Sequence, residues 1–567
     1  MYLIIRRLIS DWIYFQWILY QMLFKVNAKI MIKKLIYYML SISFFGLFSC
    51  SKDVEFHSDP YQQGKEPLGI VIESTQKPAP ETGGPGTLVK FKVTGLTNYK
   101  EKAIFTFNGQ KAEIVSITDG EITVKVPEFA STGKTTILID DIVFYGPNFT
   151  VLGKVQLDPT WQAKYGVSGG SSYIADMLTT IEDKRVLVGD FSNYENKGNI
   201  KPNNRIVRTF RNGEYDASFR VGNGSNGSLN SIIQIQNAYY IAGNFSGFDQ
   251  RTDNISNLTR INLNGQIDTM EVKPFRPPHL PDTLKYYPKF NGGFNQAVFR
   301  IFQHRGKILA VGDFRFHIHR IYGKPNYMET RDSVILDSTE IRSVALLNLD
   351  GTLDKTFRFS GNKALSGANG FVNAYYHETG ALKGKTVVYG KFSNFDGQAA
   401  GNIVRLNEDG TVDKTFNIGT GANFTVSNVT YNDKTGKYVL TGGFKMFNNV
   451  NSPYLILLNS NGSIDNTFKV KSFGTGSAGY AKQLDDGLIV VSGGFKEYNG
   501  IARSGFMILD NKGDLVKGMN NSGLVQGYIS KVIETKSDDG KRALLLLGGF
   551  SKFDNVDARG ITRITIE

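Results

Sequence analysis

Leu346-Leu347-Asn348-Leu349-Asp350-Gly351-Thr352-Leu353-Asp354-Lys355-Thr356-Phe357 reads as a strand, a tight turn and a second strand. Apolar residues flank an Asp-Gly pair, a strong short-range hairpin signal. The unit returns as RLNEDGTVDKTF, ending at Phe416, and as LLNSNGSIDNTF, ending at Phe468. Upstream of each copy another strand ends in Gly-x-Phe. That motif occurs at Gly189–Phe191, Gly243–Phe245, Gly312–Phe314, Gly390–Phe392, Gly442–Phe444, Gly493–Phe495 and Gly548–Phe550.

The regular spacing of the motif is 51–55 residues, room for four short strands and their turns. Seven repeats of four strands predict a β-propeller over 155–567, in which each sheet buries its faces against its neighbours. The chain ends on GITRITIE without its own Asp-x-x-Phe strand, while a spare one, Leu157-Asp158-Pro159-Thr160-Trp161, precedes the first Gly-x-Phe. That offset predicts a ring closed by an N-terminal strand that completes the last blade and covers its edge. The repeats resemble the delta-60 propeller repeat.

Composition agrees with an all-β chain: 61 Gly, 39 Phe and 27 Tyr against 3 Trp, with no long helical pattern. The formal charge of +13 overstates the basicity of the chain from Cys50 onward, which carries 59 basic and 51 acidic residues, a net of +8. These charges are dispersed, with no basic run or helix, which argues against nucleic acid as a partner. Cys50 is the only cysteine, so the sequence excludes an internal disulfide and a cysteine metal cluster.

Cys50 ends the stretch MIKKLIYYMLSISFFGLFSC, which starts at Met31. Lys33 and Lys34 precede an apolar run, Leu35 to Phe48, too short for a bilayer span but suited to a signal peptide over 31–49. Leu47-Phe48-Ser49-Cys50 resembles a bacterial lipobox, and the resemblance implies that Cys50 becomes an acylated N-terminus anchored in the outer membrane. Residues 1–30 then read as over-called sequence before the true start, with a second membrane segment as the alternative. Ser51-Lys52-Asp53-Val54-Glu55 resembles the acidic tags of surface-exposed lipoproteins, and residues 50–67 read as a polar tether.

Residues 68–153 alternate with period two in short runs separated by turn residues, which predicts a β-sandwich. Asn108-Gly109 marks a hairpin within it. Gly86-Thr87, Phe107-Asn108-Gly109, Val126-Pro127 and the closing Phe149-Thr150-Val151 resemble the IPT/TIG immunoglobulin-like domain. Such modules are usually spacers, which implies that this one holds the propeller away from the membrane.

The Asn348-to-Asp354 stretch and its copy from Asn407 to Asp413 look like calcium loops, but lack the glutamate and flanking helices of an EF-hand. They read as hairpin turns whose side chains bond nearby amides, and no metal or cofactor is assigned. Function is expected where the sevenfold pattern breaks. The middle residue of Gly-x-Phe is Asp190, Asn244, Asp313 and Lys391 in blades one to four, but Gly443, Gly494 and Gly549 in blades five to seven. If that position faces the channel, one side of the ring is polar and the other open. Two insertions, about 271–296 and 315–340, flank the third Gly-x-Phe, and long loops on a rigid scaffold are frequent binding elements.

Aromatic faces beside hydrogen-bonding groups suit sugars. Candidate platforms are Tyr286, Tyr287, Phe290, Phe316, Tyr322 and Tyr327, and candidate hydrogen bonders are Arg315, His317, His319 and Arg320. The bland alternative is that these residues pin the loops to the propeller. His317 and His319 share one face of a strand, yet no clear third metal ligand accompanies them. Asp-Ser/Thr-apolar triplets at Asp268, Asp282 and Asp332 resemble a bacterial O-glycosylation signal. Asp190, Asp313, Glu329, Asp332, Asp337 and Glu340 are carboxylates of the kind a glycosidase pairs, but the sequence converges no two of them, so no catalytic residue is assigned.

The acylated, surface-directed chain with an Ig-like module and β-rich end resembles surface glycan-binding lipoproteins of polysaccharide-utilisation systems. That resemblance implies a non-catalytic protein that binds polysaccharide or oligosaccharide beside outer-membrane importer proteins, through blades two to four. A propeller-type carbohydrate-active enzyme and a protein-docking scaffold or adhesin are the alternatives.

Overall fold

The computed structural model describes residues 67–567, almost entirely as β-strands. The expected signal peptide, Cys50 and the expected tether up to residue 66 lie outside the described residues.

The first module is a sandwich of two sheets. One has the strand order Val71–Ile72, Leu88–Thr94, Glu121–Lys125, Glu113–Ile117; the other Thr82–Gly83, Ile142–Val151, Gly133–Ile139, Ile104–Phe107, Gln110–Lys111. Alternation in Leu88–Thr94 turns Phe91 inward, where its ring lies 4.8 to 6.4 Å from those of Phe105, Phe107 and Phe149 on the facing sheet. Asn108 and Gly109 turn the expected hairpin with φ of 45° and 84°, a pair of left-handed residues.

Seven blades follow, and the ring closes as the sequence predicts. In blade three, Val298–His304, Lys307–Gly312 and Val344–Leu347 pair antiparallel, and Leu353 bridges to Leu347 as the start of a fourth strand. Blade seven takes its fourth strand from the other end of the propeller: Val155, Gln156 and Leu157 pair with Ile566, Thr565 and Ile564. Neighbouring blades share buried apolar clusters, and the last and first blades join Leu545, Leu547 and Ile561 to Ile174, Leu187 and Phe191.

The Gly-x-Phe motif has a packing origin at both ends. A Cβ on Gly189, Gly390 or Gly548 would overlap the main-chain oxygen of Tyr173, Phe371 or Tyr528 on the innermost strand of the same blade. The Phe side chain, as at Phe191 and Phe444, is buried between blades. The Asp of the outer strand is equally local. Asp354 and Asp413 each accept from the main-chain N–H and hydroxyl of the threonine two residues on, and from Lys307 or from Lys385 and Arg405. At the closing strand Asp158 pairs with Arg563, both side chains fully buried, and Arg563 also donates to Thr160 at 2.8 Å.

The Ig-like module is not a detached spacer. It packs against the propeller at the loop entering blade seven and at the turns between the second and third strands of blades six and seven. The Asn521 amide donates to the main-chain oxygens of Val151 (3.3 Å) and Val155 (2.9 Å), and Thr132 N–H donates to Asn521 O at 2.9 Å. Arg503 donates to Phe129 O at 3.0 Å and Asn555 to Thr132 O at 3.2 Å. No sequence pattern announced this, because main-chain carbonyls are the acceptors.

Arg563→Met leaves Asp158 buried without its partner, and the expected loss is about 3–5 kcal/mol, read as a lower denaturant midpoint. A second expectation concerns acid. Burial works to raise the pKa of Asp354, Asp413 and Asp465, but hydrogen bonds from Lys307, Lys385 and Lys437 and from the neighbouring threonines outweigh it and hold each below the usual range. Folded values below unfolded ones of about 4 stabilise above that pH and lose their contribution as pH falls through it. Thermal midpoints are expected to stay level down to about pH 5 and to drop steeply below about pH 4.

Candidate functional site

In blades one, two and four the middle residue of Gly-x-Phe ends the second strand and pairs with the first residue of the innermost strand: Asp190 with Tyr173, Asn244 with Ser228, Lys391 with Phe371. They therefore stand on one rim of the channel, a strand outward from its lining. Asp190 is tied to Arg205 at 3.1 Å and to Ser171 N–H at 3.1 Å, while Asn244, Asp313 and Lys391 are exposed.

The glycine half of the rim is not simply open, which corrects the expectation. A Cβ on Gly443 would lie 2.8 Å from the Phe424 ring, and one on Gly549 would lie 2.6 Å from Tyr528, so each glycine makes room for an aromatic ring of the innermost strand or the loop before it. Only Gly494 of the three faces open space. Phe424 is 53% exposed and Tyr528 49% exposed. Lys391 Nζ sits 5.5 Å from the Phe424 ring, and the Phe299 and Phe371 rings are 5.0 Å apart. Ser530 Oγ donates to Ile174 O at the seam of blades seven and one, which brings the strands of Tyr528 and Tyr173 together, and burial raises both phenol pKa values. Sequence reading missed Tyr173, Phe299, Phe371, Phe424 and Tyr528. Their signal is positional: they lie at or just before the start of the innermost strand, with Tyr173, Phe371 and Tyr528 directly opposite the variable residue of Gly-x-Phe.

The two insertions form hairpins that pack on each other. Thr269–Val272 pairs with Lys285–Pro288, and Phe316–Pro325 pairs with Asp332–Glu340. Tyr287 stacks on Tyr322 at 4.2 Å and 10°, its hydroxyl donates to Asp332 at 3.1 Å, and Lys285 bonds the same carboxylate. Phe290 packs edge-on against Tyr240 of blade two. His317 Nε2 donates to Gly351 O at 2.9 Å, with burial lowering its pKa to about 4, and Arg320 donates to Ser256 at 2.6 Å. Tyr287, Phe290, His317, Arg320 and Tyr322 are buried and serve to pin the loops, so they leave the accessible set. Their apolar bulk is what long hairpins need to stay on the scaffold.

Of the hairpin candidates, Tyr286 (57% exposed), Tyr327 (89% exposed) and Arg315 are accessible, with Phe316 and His319 half-buried. Beside the hairpins an open cleft of about 490 Å³ runs between blades two and three, lined by Asn226, Asn244, Ser246, Asn295 and Ile318 among others. Asn226 and Asn295 spend their carbonyl oxygens on turn amides. Three of the candidate carboxylates are engaged: Asp190 and Asp332 as above, and Glu340 with Arg315 and Arg342, whose hydrogen bonds hold its pKa low, the opposite of a general acid. Among the described residues no three metal-ligating side chains gather.

Residues 47–147 match a family described as a domain of unknown function (DUF5008), and residues 384–416 and 434–468 match a domain of unknown function described as a β-propeller (DUF5122). The propeller matches fall on the second to fourth strands of blades four and five. No curated protein matches the chain. Among solved structures, a Bacteroides thetaiotaomicron protein of unknown function shares 12% identity over 90% of this chain and 99% of that one, with a TM-score of 0.27. An auxiliary nutrient binding protein from Bacteroides ovatus shares 12% over 88% and 98%, TM-score 0.30. Sqt1 from Chaetomium thermophilum shares 8% over 72% and 98%, TM-score 0.33.

Tyr322→Ala removes the stacked pair that joins the two hairpins. Hydrogen exchange is expected to speed up across 271–296 and 315–340 while the strands of blades five and six keep their protection.

Proposed function

We propose that this protein is a non-catalytic glycan-binding lipoprotein of the outer membrane, displayed at the cell surface through acylated Cys50 and serving a polysaccharide uptake system. In this reading residues 31–49 direct export and 50–67 tether the folded part. An IPT/TIG-like module then carries a delta-60-type propeller, and outer-membrane importer proteins are its partners. The carrying observation is that the blade-three hairpins present exposed Tyr286 and Tyr327, and that a cleft lined by amide and hydroxyl side chains opens at their base between blades two and three. Flat rings next to neutral hydrogen-bonding groups match a sugar's apolar face and hydroxyl rim.

Native affinity gels cast with single polysaccharides test it. The mature protein is expected to be retarded by at least one polymer without releasing reducing ends, and Tyr286→Ala with Tyr327→Ala to weaken retention about 3- to 10-fold. Reducing-end release would make it an enzyme; no retention, with an outer-membrane protein co-purifying, would make it a docking scaffold. Cys50→Ser is expected to abolish labelling by radioactive palmitate in growing cells.

A further inference from the structure

Both walls of a trough stand on the same face of the propeller. The insertions occupy the loop entering blade three and the turn between its second and third strands. The Ig-like module contacts the same two classes of connection in blades six and seven, at Asn521, Arg503 and Asn555. All blades run in one sense around the ring, so equivalent connections share a face. In a ring of seven, blade three lies opposite the junction of blades six and seven. The mouth of the channel lies between these walls, and blades one, two, four and five leave the trough open at both ends.

Aromatic rings sit around the mouth. Exposed Tyr528 and half-buried Tyr173 stand at the seam of blades seven and one, and on the other side Phe371 and Phe424 are exposed, with half-buried Phe299 packed on Phe371. The charges between are mixed: Asp190 is already paired with Arg205, and Asp313 and Lys391 of opposite sign stand on adjacent blades. Such a floor favours an uncharged ligand with flat apolar faces. An open-ended trough accepts the middle of a chain, whereas a closed pocket would select an end. Resting on the glycan-binding reading, we propose that an uncharged polysaccharide lies across the channel mouth by an internal segment, stacked on Phe424 and Phe371 on one side and on Tyr528 and Tyr173 on the other.

The test uses the mature protein with galactomannan, mixed-linkage β-glucan and amylopectin as neutral probes, polygalacturonate and alginate as acidic ones, and oligosaccharides of graded length from any polymer retained. Affinity is expected to rise with length beyond the trisaccharide and to be unchanged when the polymer's reducing ends are reduced with borohydride. Phe424→Ala and Tyr528→Ala, at half-exposed positions outside the core, are each expected to weaken binding about 3- to 10-fold and the double variant more. Full binding by both rim variants, with loss only in Tyr286→Ala and Tyr327→Ala, would overturn this proposal and leave the glycan reading standing. So would affinity that saturates at the disaccharide and vanishes on end reduction, or retention by acidic polymers alone. Retention by no polymer overturns both.

Discussion

The buried contact between Asp158 and Arg563 is the point on which the ring depends. No blade can bury both faces alone, so the propeller is stable only as a closed circle. Closure requires a strand from one end of the domain to pair with a strand from the other, across the greatest separation in sequence. Three residues, Val155 to Leu157, make that pairing. The ion pair locks the register, because a one-residue slip would turn Asp158 away from Arg563 and bury both charges alone. Trp161, with the Arg563 guanidinium 5.1 Å from its ring centre, seals the same seam.

Inside the channel the blades are also stitched to one another. Asp176 of blade one takes hydrogen bonds from Ser231 of blade two and Lys531 of blade seven, and Lys482 of blade six donates to Val532 O of blade seven. The repeated residues therefore make structure and the exceptions are free for other work. Blade six illustrates this. Where other outer strands carry Asp, it carries Val516; Asn520 bonds both the N–H and the carbonyl of Ile508 instead, and Asn521 holds the Ig-like module. The break in the repeat coincides with the docking of the first module.

The propeller was legible because its signals are local and repeated: the Asp-Gly turns, the glycine that a main-chain oxygen forbids from growing a Cβ, and the Phe behind it. The sandwich was legible through alternation at Leu88–Thr94 and the turn at Asn108-Gly109. The site was legible only in outline. Aromatic richness located the two insertions but could not separate Tyr286, which faces solvent, from Tyr287, which is buried against Tyr322, since neighbours on a strand point to opposite sides. The rim rings escaped notice because Phe371, Phe424 and Tyr528 belong to no motif.

The docked module changes what the first domain is for. A spacer joined by a loose linker would leave the propeller's faces equivalent with respect to the first module. Here the linker Gly153-Lys154 is itself held, with Lys154 N–H donating to Gly518 O at 2.7 Å, and a Cβ on Gly523 would overlap Thr132 O. The module is thereby fixed on the face that carries the insertions and the aromatic rim. It cannot be removed without exposing buried Arg503 and the Asn521 amide, so the wall it forms is part of the propeller's own stability. Access to the channel mouth is set by two elements that the fold holds in place.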